Sequence, residues 1–229
     1  MVMLKKNDFV EIEYTARVRE DNTVFDTTDE KVAKDNNLYE ASSEYGPIVV
    51  CIGQHQLLEG LDKELEGKET GKSYKIELKP ENAFGKKNSK LLKILSSTAF
   101  RKQNVQPVPG LQVNMDGILG TIRSVTGGRL VIDFNHPLAG KDILYEIKLN
   151  RIVTDDKEKL KKYLELQLNE KNVDVEITNS EAKATLSKEP SSAVKEKLEK
   201  KAAELIPSVK KLVFEARKAV KENVTSPKK

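Results

Sequence analysis

An α+β protein built mostly from antiparallel strands is predicted by three patterns in this 229-residue sequence. Residues 9–19 alternate strictly between apolar and polar side chains, and a second alternating run appears far downstream at 143–149. Between and beyond these runs lie segments with apolar residues at helical spacing, too few and too short for an all-α chain.

Val10, Ile12, Tyr14, Ala16 and Val18 share one side of the first run, against Glu11, Glu13, Thr15, Arg17 and Arg19 on the other. That period of two reads as a half-buried antiparallel strand. A turn at Glu20–Thr23 leads into Val24-Phe25-Asp26. The following polar stretch to Pro47 is long, with a short helix expected over 29–37. Ile48–Ile52 is a short, wholly apolar strand ended by Gly53. Leu57, Leu58, Leu61 and Leu65 then recur at helical spacing, stopped by Gly67 and Gly71. Tyr74, Ile76 and Leu78 alternate as a further strand, closed by Pro80.

Residues 86–135 have a different texture. A polar opening at Gly85–Ser89 precedes the stiff run Val105–Gly110. Short strands are expected near Val113–Met115 and Gly120–Val125, with a Gly127-Gly128 hairpin turn into Leu130–Phe134. Ile143, Tyr145, Ile147 and Leu149 then resume the earlier style of strand. The pattern is that of a β-rich module inserted into a parent antiparallel sheet. After Val153, Leu160, Tyr163, Leu164 and Leu168 predict an amphipathic helix. Alternation at Val173–Ile177 and Ala182–Leu186 predicts a hairpin, and apolar residues from Val194 to Leu205 a second helix. Pro207 restarts helical spacing over Val209, Leu212, Val213, Ala216 and Val220. The expected C-terminal unit is α-β-β-α. The divisions are therefore 1–85 with 136–153, 86–135, and 154–229.

Composition narrows the chemistry. One cysteine, Cys51, excludes an internal disulfide and suits a reducing compartment, where a buried thiol is the plain reading. With two separated histidines, His55 and His136, no metal centre and no cofactor is expected. No apolar run approaches the roughly 18 residues of a spanning helix, and a soluble, cytoplasmic protein without membrane partners is expected. The net charge of +4 is mild, although the last residues are lopsidedly basic. Nucleic acid or the ribosome is disfavoured as a partner, since no aromatic interleaving or RNA motif accompanies that charge. Neither histidine has a triad context, and no glycine loop cradles phosphate. An enzyme of this composition needs a reaction without a nucleophile. Rotation about an X–Pro bond is one: its barrier of about 18–20 kcal/mol is lost amide resonance. A dry apolar cup disfavours the polar planar amide relative to the twisted one.

Tyr14, Val24–Asp26, Ile52–Leu61, Gly67, Pro80–Gly85 and Asn135–Gly140, read as one ordered string, strongly resemble FKBP-type peptidyl-prolyl isomerases. The resemblance covers about residues 1–153. It is nearest to the SlyD-like and long archaeal branch, whose flap carries an inserted domain. It implies an antiparallel half-barrel with one helix, an insert-in-flap chaperone domain and the C-terminal α/β unit beside them. Carried over by position, Tyr14, Phe25, Asp26, Leu61, Phe84 and Tyr145 are the catalytic cup, with Leu61 as floor. Ile48, Leu57 and Leu58 bind substrate, and Asp26 orients the amide region without transferring a proton. On pattern alone Tyr14, Ile48, Leu57, Leu58 and Leu61 read first as core, and Asp26 as a turn acid; their joint order overturns that reading. His136 ties down the loop returning from the insert, and His55 is surface. Leu61 stands where many relatives carry an aromatic, and Phe84 lacks the hydroxyl of a common Tyr. The extended 27–46 segment is a lid candidate.

The implied activity is isomerisation of unfolded or proline-containing polypeptides, joined to holding of unfolded chains. Phe100, Met115, Ile118 and Leu130 are the candidate chaperone surface, with the insert's own small core as their alternative. A non-catalytic holding module on the same fold is the alternative function. A homodimer through 154–229 is expected, because the last apolar series exceeds what so small a unit buries alone.

Overall fold

The computed structural model describes residues 2–102 and 105–217. Its first sheet has five strands: β1 (Phe9–Val18), β2 (Val24–Thr27), β3 (Ile48–Cys51), β4 (Lys72–Leu78) and, after a long excursion, β9 (Ile143–Ile152). Their order is β2-β1-β9-β4, with β3 pairing to the first half of β1, and every ladder is antiparallel. The strictly alternating run is β1, and the downstream run lies beside it as β9, with Tyr14 opposite Ile147 and Ala16 opposite Tyr145. A short helix, α1 (Glu30–Asp35), is capped by the Asp29 carboxylate, which accepts from Val32 N at 3.0 Å. Helix α2 (Glu59–Leu65) buries Leu61 and Leu65 against the sheet.

The excursion between β4 and β9 forms a separate four-stranded antiparallel sheet. It comprises β5 (Leu92–Ser96), β6 (Gln112–Met115), β7 (Ile118–Thr126) and β8 (Arg129–Asp133), in the order β5-β8-β7-β6, with a short helix α3 (Ser97–Lys102). Strand β5 has no alternating signature and was not expected. The Gly127-Gly128 turn has φ of 55° and 76°, both positive as a two-residue hairpin of this kind requires. Ile122, Leu130 and Ile132 are the fully buried core of this sheet. At its neck Asn88 N donates to Asn135 Oδ1 at 2.8 Å, and Asn135 Nδ2 donates back to Asn88 O at 3.1 Å.

The remaining elements are α4 (Asp156–Leu168), β10 (Asp174–Thr178), β11 (Glu181–Leu186), α5 (Ser192–Leu205) and β12 (Lys211–Ala216). The first four match expectation, including the Asn179-Ser180 hairpin turn with φ of 49° and 68°. The fifth corrects it. The segment after Pro207 is a strand lying parallel to β11, so the unit is α-β-β-α-β and not α-β-β-α. Leu212 and Phe214, two apart, are its buried residues. The hairpin offered β11 with one edge unpaired, and α5 supplies the crossover that a parallel partner needs. Val220 lies outside the described residues. Among the described residues no helix is long and apolar enough to cross a membrane.

This last unit is joined to the first sheet by shared packing. Phe9 and Cys51 belong to the same buried cluster as Leu160, Leu164 and Phe214, with Val49 packed against it. Strand β3 is therefore covered on both faces. Val50 and Ile52 enter the core under α2, while Val49 and Cys51 enter the C-terminal core. The continuous apolar run at 48–52 needs both partners, since a half-exposed strand would alternate.

Candidate active site

The site grows from one row of the sheet. Asp26, Ala16, Tyr145 and Ile76 are successive cross-strand neighbours, and Tyr14 stands two residues along β1 on the same face. Same-face neighbours at this diagonal spacing are within reach of long side chains. Tyr14 accordingly donates its hydroxyl proton to Asp26 Oδ2 at 2.8 Å. A bulge makes the next step possible. Ala16 pairs with Asp26 but Arg17 pairs with Val24, leaving Phe25 as the extra residue. Such a bulge re-aims a side chain, and Phe25 joins Asp26 at the site where strict alternation would oppose them.

Aromatic rings close the cup. Tyr14 and Tyr145 lie 5.8 Å apart, Phe25 meets Tyr145 edge-on at 6.5 Å and Phe84 at 5.8 Å. Edge-to-face pairs of this kind fix ring orientation. The His136 ring stacks on Phe84 at 4.6 Å, nearly parallel, while its Nδ1 accepts from Leu138 N at 3.2 Å. His136 thus ties down its loop, as expected, and also backs one wall of the cup. Leu61 is fully buried at the base, and Ile48, Leu57, Leu58 and Phe84 are half-buried around the same cluster. Helix α2 starts at Glu59, so Leu57 and Leu58 belong to the turn before it.

That turn has an anchor that sequence reasoning missed. Asp62, buried on α2, accepts from Gly53 N at 2.8 Å and from His55 N at 3.2 Å. An acid beside Leu61 on the apolar helix face, between Leu58 and Leu65, was its visible signal. His55 itself is exposed. Gln56 Oε1 accepts from Cys51 N at 2.7 Å and holds the turn from the other end.

A cavity of about 390 Å³ opens beside the cup. One side is Tyr14, Phe25, Asp26 and Ile48; the other is the 27–46 segment, through Ala33, Leu38, Glu40, Ser43, Glu44 and Tyr45. The segment is a closed loop. Thr28 N donates to Tyr14 O and Gly46 N to Thr28 O, at 2.9 and 2.7 Å, so its neck rests on the backbone of Tyr14. Within it Tyr45 stacks on Tyr39, and the Tyr45 hydroxyl accepts from Glu40 N at 2.9 Å. A larger cleft of about 690 Å³ lies on the opposite, charged face of the sheet. Its Lys75 and Lys148 are paired with Glu146 and Glu13, at 2.7 and 3.2 Å, and it has none of the aromatic pairs that gather around Tyr145.

Burial, followed by the charge of Asp26, pushes the Tyr14 hydroxyl far above its ordinary value of 10, and Tyr145 is raised in the same way. Both remain protonated hydrogen-bonding groups. Burial pushes the Cys51 thiol up to about 12, which leaves it inert. The cup is therefore a set of aromatic and aliphatic side chains around one carboxylate, Asp26, with no thiol among them. Among the described residues no cluster of three metal-binding side chains occurs.

Of the four residues proposed as a holding surface, Ile118 is 59% exposed, and Phe100 and Met115 are half-buried against the insert core. Leu130 is fully buried, which corrects its assignment as surface. It points inward because β8 is a central strand covered by the small core. The apolar side chains that do face solvent include Ile94 and Leu119, 68% and 55% exposed.

Comparison with known proteins follows the same outline. A family model for FKBP-type peptidyl-prolyl cis-trans isomerases matches residues 2–101, and one for the IF domain of FKBP26 matches 93–138. A short-type peptidyl-prolyl cis-trans isomerase of Methanocaldococcus jannaschii is 33% identical over 150 residues, covering 66% of this chain and 94% of that protein. The SlyD isomerase of Vibrio cholerae is 30% identical over 147 residues, covering 60% of this chain and 71% of SlyD. A 16 kDa FKBP-type isomerase of Escherichia coli is 31% identical over 110 residues, 46% and 74% of the two chains.

Proposed function

Since the chain belongs to the FKBP-type peptidyl-prolyl cis-trans isomerase family, we propose that it turns over X–Pro bonds in the cup of Tyr14, Phe25, Asp26, Leu61, Phe84 and Tyr145, and holds unfolded chains on its inserted sheet. The observation that carries the first half is the aromatic cup closed by the Tyr14–Asp26 hydrogen bond. The reaction requires only that the twisted amide be bound more tightly than the planar one. The apolar walls disfavour the larger dipole of the planar form. Asp26, oriented by Tyr14, sets the local field without exchanging a proton. Ile48, Leu57 and Leu58 seat the flanking residues of an extended substrate. Each ~1.4 kcal/mol of preference for the twisted form is tenfold in rate.

A protease-coupled assay on an X-Pro tetrapeptide tests this reading. Acceleration over the uncatalysed rate is expected; binding without acceleration would leave a non-catalytic holding module instead.

The holding role rests on exposed apolar side chains in the 86–135 insert, of which Ile94 and Ile118 are the most open. Tethering a client there raises the concentration of its prolyl bonds at the cup. Ile94→Lys with Ile118→Lys should leave tetrapeptide turnover unchanged and weaken suppression of aggregation by an unfolded protein several-fold. Unaltered suppression would move the holding surface elsewhere. Replacing 86–135 by a short loop should likewise spare tetrapeptides and slow proline-limited refolding; equal losses on both would make the insert a support for the cup.

We also propose a homodimer through 154–229. Leu212 and Phe214 are already buried, so excess apolar surface no longer argues for it. Its support is the three-stranded sheet β10-β11-β12, whose outer strands are edges among the described residues. Edge strands are templates for further pairing. Light scattering at micromolar concentration should give a dimer mass, and a monomer mass would exclude it.

A further inference from the structure

We infer that the C-terminal unit positions the outer wall of the cavity beside the prolyl cup, and that Lys171 is the positioning residue that clasps this wall from behind. The inference deepens the isomerase reading and rests on it for the identity of the cavity.

Glu44, Tyr45 and Ile48 line the cavity beside Tyr14 and Asp26, and the same three residues line a second cleft of about 400 Å³ on their other side. The far wall of that second cleft is the end of α4 and the turn after it, including Leu166 and Lys171. The wall is thus one residue thick, with substrate space in front and the C-terminal unit behind.

Two kinds of contact cross from behind. Below, Val49 and Cys51 of β3 pack into the C-terminal core while Ile48, next along the chain, faces the cavity side. Above, Lys171 Nζ donates to Ser42 O and lies 3.9 Å from Glu44 Oε1. The loop is held at its neck by Thr28 and Gly46 and braced within itself by Tyr45, Tyr39 and Glu40, but its tie to the C-terminal unit at residues 42–44 is Lys171. Lys171 fixes them from a turn whose own geometry is set by Asn169, in the left-handed conformation that ends α4.

Because packing under Val49 and Cys51 holds the base of the wall, loss of one exposed charged clasp predicts a modest effect. Affinity and kcat/KM for one Leu-Pro tetrapeptide are measured in wild type, Lys171→Glu, Glu44→Lys and the double variant. Each single change juxtaposes like charges and should weaken both quantities about two- to fivefold, the range of an exposed ion pair. The charge swap rebuilds the ion pair but not the bond to Ser42 O, so it should recover part of the loss. A merely structural loss would not be rescued by the swap. Wild-type values in the single variants, or a double variant as weak as the singles, would overturn the inference. If wild type binds the peptide without isomerising it, the catalytic reading falls while the affinity series still judges the clasp.

Discussion

Tyr14 is the most heavily tied residue of the site. Its backbone exchanges hydrogen bonds with Thr28 on both sides, Tyr14 N to Thr28 Oγ1 at 2.9 Å and Thr28 N to Tyr14 O at 2.9 Å, while its hydroxyl serves Asp26. Tyr14→Phe keeps the ring and its contacts with Tyr145 but deletes one hydrogen bond. A net bond of roughly 1 kcal/mol corresponds to about a three- to tenfold lower kcat/KM. Circular dichroism should be unchanged, and a wild-type rate would remove the hydroxyl from the mechanism. Because burial keeps the Tyr14 and Tyr145 hydroxyls protonated beyond pH 10, neither should introduce an inflection in the rate below that pH. The order of Tyr14, Phe25 and Asp26 was readable from the chain. That Phe25 and Asp26 face the same way was not, because it depends on a bulge in the pairing of β1 with β2.

Among the elements, α2 carries the floor of the cup, and its approach to the next segment is limiting. A Cβ built on Gly60 would stand 2.3 Å from Asn82 O, a backbone atom that cannot yield cheaply. Gly60→Ala must push α2 off the turn at Pro80–Asn82 and lift the adjacent Leu61. We expect about 1–3 kcal/mol of destabilisation, the range for overpacking a close contact. Thermal unfolding checks the size, and an unchanged Tm would mean that the two elements separate without cost. Strand β12 teaches the converse lesson. Val209, Leu212, Val213 and Ala216 fit a helical stripe, yet the buried pair is Leu212 and Phe214. Short apolar segments satisfy both periods, and the open edge of β11 decided between them.

At the scale of the molecule, the buried acids that resist ionisation link stability to alkaline pH. Tyr14 and Tyr145 are raised far above 10, burial pushes Tyr163 up to about 12, and Cys51 rises from 9.0 to about 12. In the unfolded chain these groups lose their protons near their ordinary values, whereas the folded chain retains them. The folded state then binds more protons, so stability falls as pH rises. The contribution is complete below pH 9, begins to fall with Cys51 near 9 and falls more steeply with the tyrosines above 10. Urea midpoints at pH 8, 10 and 11 should decline in that order, and a constant midpoint would contradict the burial of these groups. Cys51 and Tyr163 lie in the cluster that joins β3 to the C-terminal unit, so loss at high pH should loosen that junction as well.

The amino-acid order by itself determined the antiparallel parent sheet, the helix with Leu61, the hairpin turns at Gly127-Gly128 and Asn179-Ser180, and the order along the chain of the residues that the fold gathers around Tyr14. Those features follow from local periodicity, positive-φ turns and an ordered motif string, all of which survive in one dimension. The tertiary structure alone decided the burial of Leu130, the parallel pairing of β12, the bulge that turns Phe25 into the site, and the anchoring role of Asp62. It also decided that β3 is shared between two cores and that Glu44, Tyr45 and Ile48 stand between the cavity beside the cup and a cleft against the C-terminal unit. Each of these depends on which edge or face a distant segment covers. Burial of a short strand on its second face is a property of its partner, and its own residues record only that both sides are apolar.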